Sequence, residues 1–181
     1  MEVLLIDPTY LKRYTPLNGQ VDEDRLPPAI IAAQDMHIQP YLGTDLYQAL
    51  KTKANAGTLA GAYETLLNDY VRKALAWFTL VELVADLRVQ IRNGGLFTST
   101  PEGASSIAPD ELTNIREAAR AKAEFYLSEM CRWLSYNSAS VPEYGTNTSN
   151  GMPAQMFQFT QAFQVGGARE YSPLEDLFTT R

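Results

Sequence analysis

Leu66-Leu67-Asn68-Asp69-Tyr70-Val71-Arg72-Lys73-Ala74-Leu75-Ala76-Trp77-Phe78-Thr79-Leu80-Val81-Glu82-Leu83-Val84 is the stretch that decides the fold. Its apolar residues recur at helical spacing and cover more than one face, and Leu87 continues them. This predicts a helix over about residues 60–92, ended by Asn93-Gly94-Gly95. A helix that is apolar nearly all round must be enclosed by others.

The enclosing partners are legible on both sides. Downstream, Pro109, Asp110 and Glu111 open a helix of about 27 residues with a stripe of Leu112, Ile115, Ala119, Tyr126, Met130 and Trp133. Two long helices joined this way predict a small antiparallel bundle. Between them, Leu96 to Ile107 reads as a loop or a short β-hairpin around Pro101-Glu102-Gly103. Upstream, Pro27 and Pro28 suit the first turn of a helix carrying Ile30, Ile31, Ala33 and Ile38, with Pro40 as its stop. Pro40, Leu42 and Gly43 then shape a turn. Thr44 is a natural N-cap, Leu46, Tyr47 and Leu50 form the next apolar face, and Asn55 and Gly57 end that helix. Residues 1–25 read as an extended apolar segment, Val3 to Ile6, followed by a turn-rich connector.

Composition shifts after Leu134. Residues 135–153 are rich in Ser, Asn, Thr, Gly and Pro and read as a linker. Beyond it Phe157, Phe159, Phe163 and Val165 follow period two, a strand pattern, and Tyr171, Leu174, Leu177 and Phe178 form a last apolar segment. The expected fold is therefore mainly α. A helical domain spans residues 1–136, and residues 137–181 form a linker and an extended C-terminal arm containing a strand. Burying those three phenylalanines and the valine contributes on the order of 6–12 kcal/mol gross, at ~1.5–3 kcal/mol each. Left in water they form an aggregation-prone, weakly charged strand. Two destinations compete: the chain's own body, pairing with Val3–Ile6 or Leu96–Thr100, or the sheet or groove of a neighbouring chain.

The whole chain of 181 residues carries 15 basic and 21 acidic residues, a net charge of -6. No basic patch exists to displace counterions, which argues against tight nucleic-acid binding. The N-terminus has too short an apolar run for a signal peptide, and no stretch approaches the ~20 apolar residues of a membrane span. The lone Cys131 reads as a buried, reduced thiol. Catalysis finds little support. The single histidine, His37, has no second histidine or cysteine at ligand spacing, so no metal site or cofactor is expected. Glu82 and Asp86 share a helix face that Glu124 could approach, but a pairing of Glu82 with Arg88, Arg116 or Arg120 is the simpler expectation. The Gly94-Gly95 and Gly166-Gly167 pairs lack the lysine of a phosphate cradle, and the Asn147-Thr148-Ser149 sequon reads as chance.

The run Ile30-x-x-Ala33-Gln34-x-x-x-Ile38-x-Pro40-x-Leu42-Gly43-x-x-Leu46-Tyr47 resembles the opening of tailed-phage head–tail connector proteins, the adaptors that dock beneath the portal. Leu66-Leu67-x-x-Tyr70-Val71, Asn93-Gly94-Gly95 and Ala123-Glu124-Phe125-Tyr126 continue in the same style, over about residues 26–136. In flavour the likeness is greatest to the neck ring proteins of Bacteroidetes-infecting, crAss-like phages. It implies a structural protein with no catalytic residues, made in the host cytoplasm and located in the virion neck. It further implies a ring of twelve copies, contacts to the portal and to another neck or tail protein, and DNA passing through without sequence-specific binding. In that picture Phe157, Phe159, Phe163, Val165, Tyr171 and Phe178 anchor the arm. The competing expectation is a free-standing helical binding or regulatory module with a docking tail.

Overall fold

The computed structural model describes residues 2–17, 21–92, 95–98, 109–148 and 151–155. Within them the chain is mainly helical. Seven α-helices follow in order: α1 (Pro8–Tyr14), α2 (Leu26–Ala33), α3 (Gln39–Leu42), α4 (Thr44–Ala56), α5 (Ala62–Thr65), α6 (Arg72–Arg88) and α7 (Pro109–Asn137). Among the described residues the most extensive helix pairing is α6 against α7, and α2 also packs on α6. Leu66, Leu67, Val71, Ala74, Leu75, Ala76, Phe78 and Leu83 are all buried, the enclosure that an all-round apolar helix demands.

Two π-helical turns reshape what the sequence presents as uninterrupted helices. Gln34–Ile38 joins α2 to α3, and Leu66–Val71 joins α5 to α6. The first corrects the expectation that Pro40 stops a helix. Pro40 lies inside α3, and the chain turns only at Gly43. A proline ring crowds the carbonyl four residues back and lacks an N–H. The wider turn, where the Gln39 N–H bonds to the Gln34 carbonyl, accommodates both.

Three further departures have local causes. Residues 1–25 are not only extended segment and connector: Asp7 caps α1, its Oδ1 accepting from Tyr10 N at 2.6 Å, with Pro8 in the first turn. The long α6 ends at Arg88. Val89–Arg92 (β1) and Gly95–Thr98 (β2) pair antiparallel, Val89 opposite Thr98 and Arg92 opposite Gly95, ahead of most of the stretch read as a loop or hairpin. Residues 99–108 lie outside the described residues. On α7 the buried stripe is Ala119, Ala123, Leu127, Met130, Cys131 and Leu134, whereas Ile115 is 41% exposed. Tyr126 and Trp133, expected in the stripe, pack at its margin, where Trp133 meets Tyr70.

The N-terminal segment is fastened by one buried side chain. Gln34 accepts from Leu5 N at 2.7 Å, and its amide donates to the Val3 carbonyl and to Tyr47 Oη. A buried, hydrogen-bonded amide costs little, and here it fixes the N-terminal segment to the body. Leu5 and Ile6 are thereby held in the core. No helix among the described residues is long and apolar enough to cross a membrane.

Candidate functional site

The turn between α3 and α4 is hydrogen-bonded to a segment far along the chain. Leu42 is fully buried. Gly43 adopts φ 76°, ψ 160°, a conformation essentially reserved for glycine. A β-carbon there would lie 2.8 Å from the Ala154 backbone nitrogen, so the turn is also a close crossing of two backbone segments. Gly151 makes a second close approach: a β-carbon on it would fall on the Thr44 side chain.

Those crossings belong to a clasp. Thr44 does not cap α4 with its side chain; Gly43 occupies the cap position. Instead Thr44 N donates to the Met152 carbonyl at 2.9 Å, and Met152 N donates to Thr44 Oγ1 at 2.8 Å. Gln155 N donates to the Pro40 carbonyl at 2.8 Å. Asp45 Oδ2 accepts from Thr146 Oγ1, Thr148 N and Thr148 Oγ1 at 2.9, 2.7 and 2.9 Å. A carboxylate in the first turn of a helix is well placed by the helix dipole, and here it also accepts from Thr146 and Thr148.

The clasp corrects the reading of residues 135–153 as a linker. The α7 helix runs to Asn137, and the 3-10 turns Ser138–Ser140 and Pro142–Gly145 follow directly. Val141 and Tyr144 are buried in the main core. Tyr63 Oη donates to Glu143 Oε2 at 2.5 Å, and burial plus that hydrogen bond push the phenol up to about 12.

The carboxylates weighed as catalytic candidates lie on α6 and α7. Glu82 Oε1 lies 2.9 Å from His37 Nε2, a partner that the sequence reading did not name. The His37 ring stacks on Phe78 with centroids 4.3 Å apart. Glu124 pairs with Arg120 on the exposed side of α7, and Asp86 is exposed. Among the described residues no group of three or more His, Cys, Asp or Glu side chains is arranged to hold a metal ion. Cys131 is free and buried, and burial pushes its thiol up to about 12. Phe157, Phe159, Phe163, Val165, Tyr171 and Phe178 lie outside the described residues.

Residues 38–153 match the family of unknown function DUF6712. The chain belongs to this family. The DUF6712 match begins at the end of the first π-helical turn and closes at the clasp, so it takes in Pro40, Leu42, Gly43, Thr44, Asp45 and Met152 together. No curated protein matches the chain, and no solved structure does.

Asp45, Thr146, Gly151 and Met152 carry no mark in the sequence, and Thr44 reads there only as a helix cap. Asp45 and its threonine partners are separated by 101 and 103 positions. The one local signal is Gly43, conspicuous between an apolar residue and a helix start.

Proposed function

We propose that the chain is a structural subunit of a ring in the neck of a tailed phage, joining portal to tail and extending the DNA channel. It acts by contact and not by catalysis. The carrying observation is the clasp: the chain is fastened to the body as far as Gln155, and Phe157, Phe159, Phe163 and Val165 begin two positions later. A fastened exit point directs an apolar strand sequence from a defined place on the body, as strand addition to a neighbour requires. Head-to-tail contacts of that kind close into rings when the rotation between copies allows.

Further features support the reading. Exposed apolar side chains recur along α7, with Phe125 60% and Tyr136 84% exposed, and subunits packed side by side in a ring would cover them. The net charge of -6 suits a wall past which DNA slides without being gripped. The resemblance over residues 26–136 supplies the neck location, the portal and tail partners and the copy number of twelve.

Electron microscopy of the purified full chain, alone and mixed with a cognate portal, tests this. Closed rings with a central channel, docking coaxially on the portal, are expected. A monomer that ignores the portal would overturn the proposal.

A further inference from the structure

A groove of about 600 Å³ runs between α1, the turn Leu66–Val71, α6 and α7, well away in sequence from the clasp. Its walls are aromatic: Tyr10 and Tyr14 from α1, Trp77 from α6 and Tyr126 from α7. Tyr14 is 55% exposed and packs at a tilt against Tyr10 with ring centroids 4.4 Å apart. The rim is cationic. Arg72 and Lys73 line it, and the Lys122 ammonium sits 4.2 Å over the Trp77 ring at its side. The carboxylate among its lining residues is Asp69. Among the described residues none of the three cations is ion-paired with a carboxylate. Arg72 is committed instead to the Leu5 carbonyl and to Asn68. A positive aromatic groove on a chain of net charge -6 calls for an acidic, apolar occupant.

The end of the same sequence has that chemistry. Glu170-Tyr171-Ser172-Pro173-Leu174-Glu175-Asp176-Leu177-Phe178 carries three carboxylates and no cation. Tyr171, Leu174 and Phe178 fall at i, i+3 and i+7, the spacing with which a peptide anchors in a groove. From Gln155 to Tyr171 the chain can span up to about 50 Å at ~3.3 Å per residue, enough to reach an adjacent copy.

We propose that this groove receives residues 170–178 of a second copy, with Tyr171, Leu174 and Phe178 among the tyrosines and Trp77, and Glu175 and Asp176 facing Lys73 and Lys122. The assignment rests on the ring reading and gives it an address: the strand sequence leaves the clasp, and the acidic end closes on the neighbour's groove.

The experiment uses full-length chains and sedimentation equilibrium. Lys73 and Tyr14 are exposed, so Lys73→Glu and Tyr14→Ser leave the body folded, as circular dichroism verifies. Each is expected to weaken self-association by about tenfold or more, as is Glu175→Lys with Asp176→Lys. Combining Lys73→Glu with the two lysine substitutions should recover most of the loss, the mark of a direct pairing. A photoreactive benzophenone residue at position 174 should cross-link to α1 or α6 of a different chain. Cross-linking within one chain would overturn the proposal, and so would unchanged association in Lys73→Glu and Tyr14→Ser. If those two variants assemble normally while Phe159→Ser with Phe163→Ser does not, the groove assignment fails and the ring reading stands. If all of them assemble normally, both fail.

Discussion

Thr44 and Met152 hold each other by two reciprocal hydrogen bonds, backbone N to carbonyl at 2.9 Å and backbone N to Oγ1 at 2.8 Å. The pair joins the start of α4 to a segment more than a hundred positions later, where composition alone describes a linker. Residues 151–155 are thus fastened to the helical body, and the apolar C-terminal sequence begins two positions after Gln155.

Asp45 is the acceptor on which the threonine side of the clasp converges. Asp45→Ala should destabilise the chain by about 1–2 kcal/mol, since three hydrogen bonds to a partly solvated carboxylate are lost. Amide hydrogen exchange at Thr148 should accelerate in the variant while exchange within α6 is unchanged. Equal acceleration in both would mean that the segment is no separate clasp.

Gly43→Ala should cost about 2–4 kcal/mol, combining a conformation reserved for glycine with a close approach to the Ala154 backbone. Gly57→Ala is the control. Gly57 also has positive φ, but nothing lies within 4 Å of its added β-carbon, so the cost should be about 1 kcal/mol. Chemical denaturation of the two variants checks the order.

Gln34→Leu leaves the Leu5 N–H without its acceptor in a buried setting. A loss of about 2–3 kcal/mol is expected. Exchange of the Leu5 amide should rise by more than the global loss of stability explains, because Gln34 is the acceptor that holds it.

Tyr63 sets an alkaline limit. Its phenol is raised from 10.0 to about 12 in the fold, by burial and by donation to Glu143. The folded state therefore holds this proton more tightly than the unfolded chain. The contribution is fully present below pH 10 and is lost as pH rises through 10 to 12. Urea denaturation across that window should show stability falling. Tyr63→Phe should reduce the slope without removing it, because the Tyr47 phenol is raised as well.

How much of this was legible differs by element. The burial of α6 follows from residues 66–84 alone, because a helix without a polar face has one way to fold. The ends of α4 follow from Gly43 and Gly57, where backbone conformation selects the residue. Pro40 misleads because the wide turn that accommodates it leaves no signature in Gln34–Ile38. The stripe on α7 is displaced because Ala123, Leu127 and Leu134 carry the contact while Ile115 is exposed. The clasp was illegible for a different reason. Its residues are mostly small and polar, its two halves are distant in sequence, and the apolar anchors Val141 and Tyr144 sit in a segment of otherwise linker-like composition. The same contrast explains His37 and Glu82, a pair formed across 45 positions that no local pattern announces.

Sedimentation velocity on the full chain beside its Phe159→Ser, Phe163→Ser variant puts the proposed assembly to the shortest test. The unaltered chain should sediment as one closed species of fixed mass, and the variant as a folded monomer with the same helical circular dichroism and nearly the same melting temperature. An unaltered chain that stays monomeric at high concentration, with both serines lowering its own melting point instead, would place those phenylalanines in the chain's own core and contradict the ring.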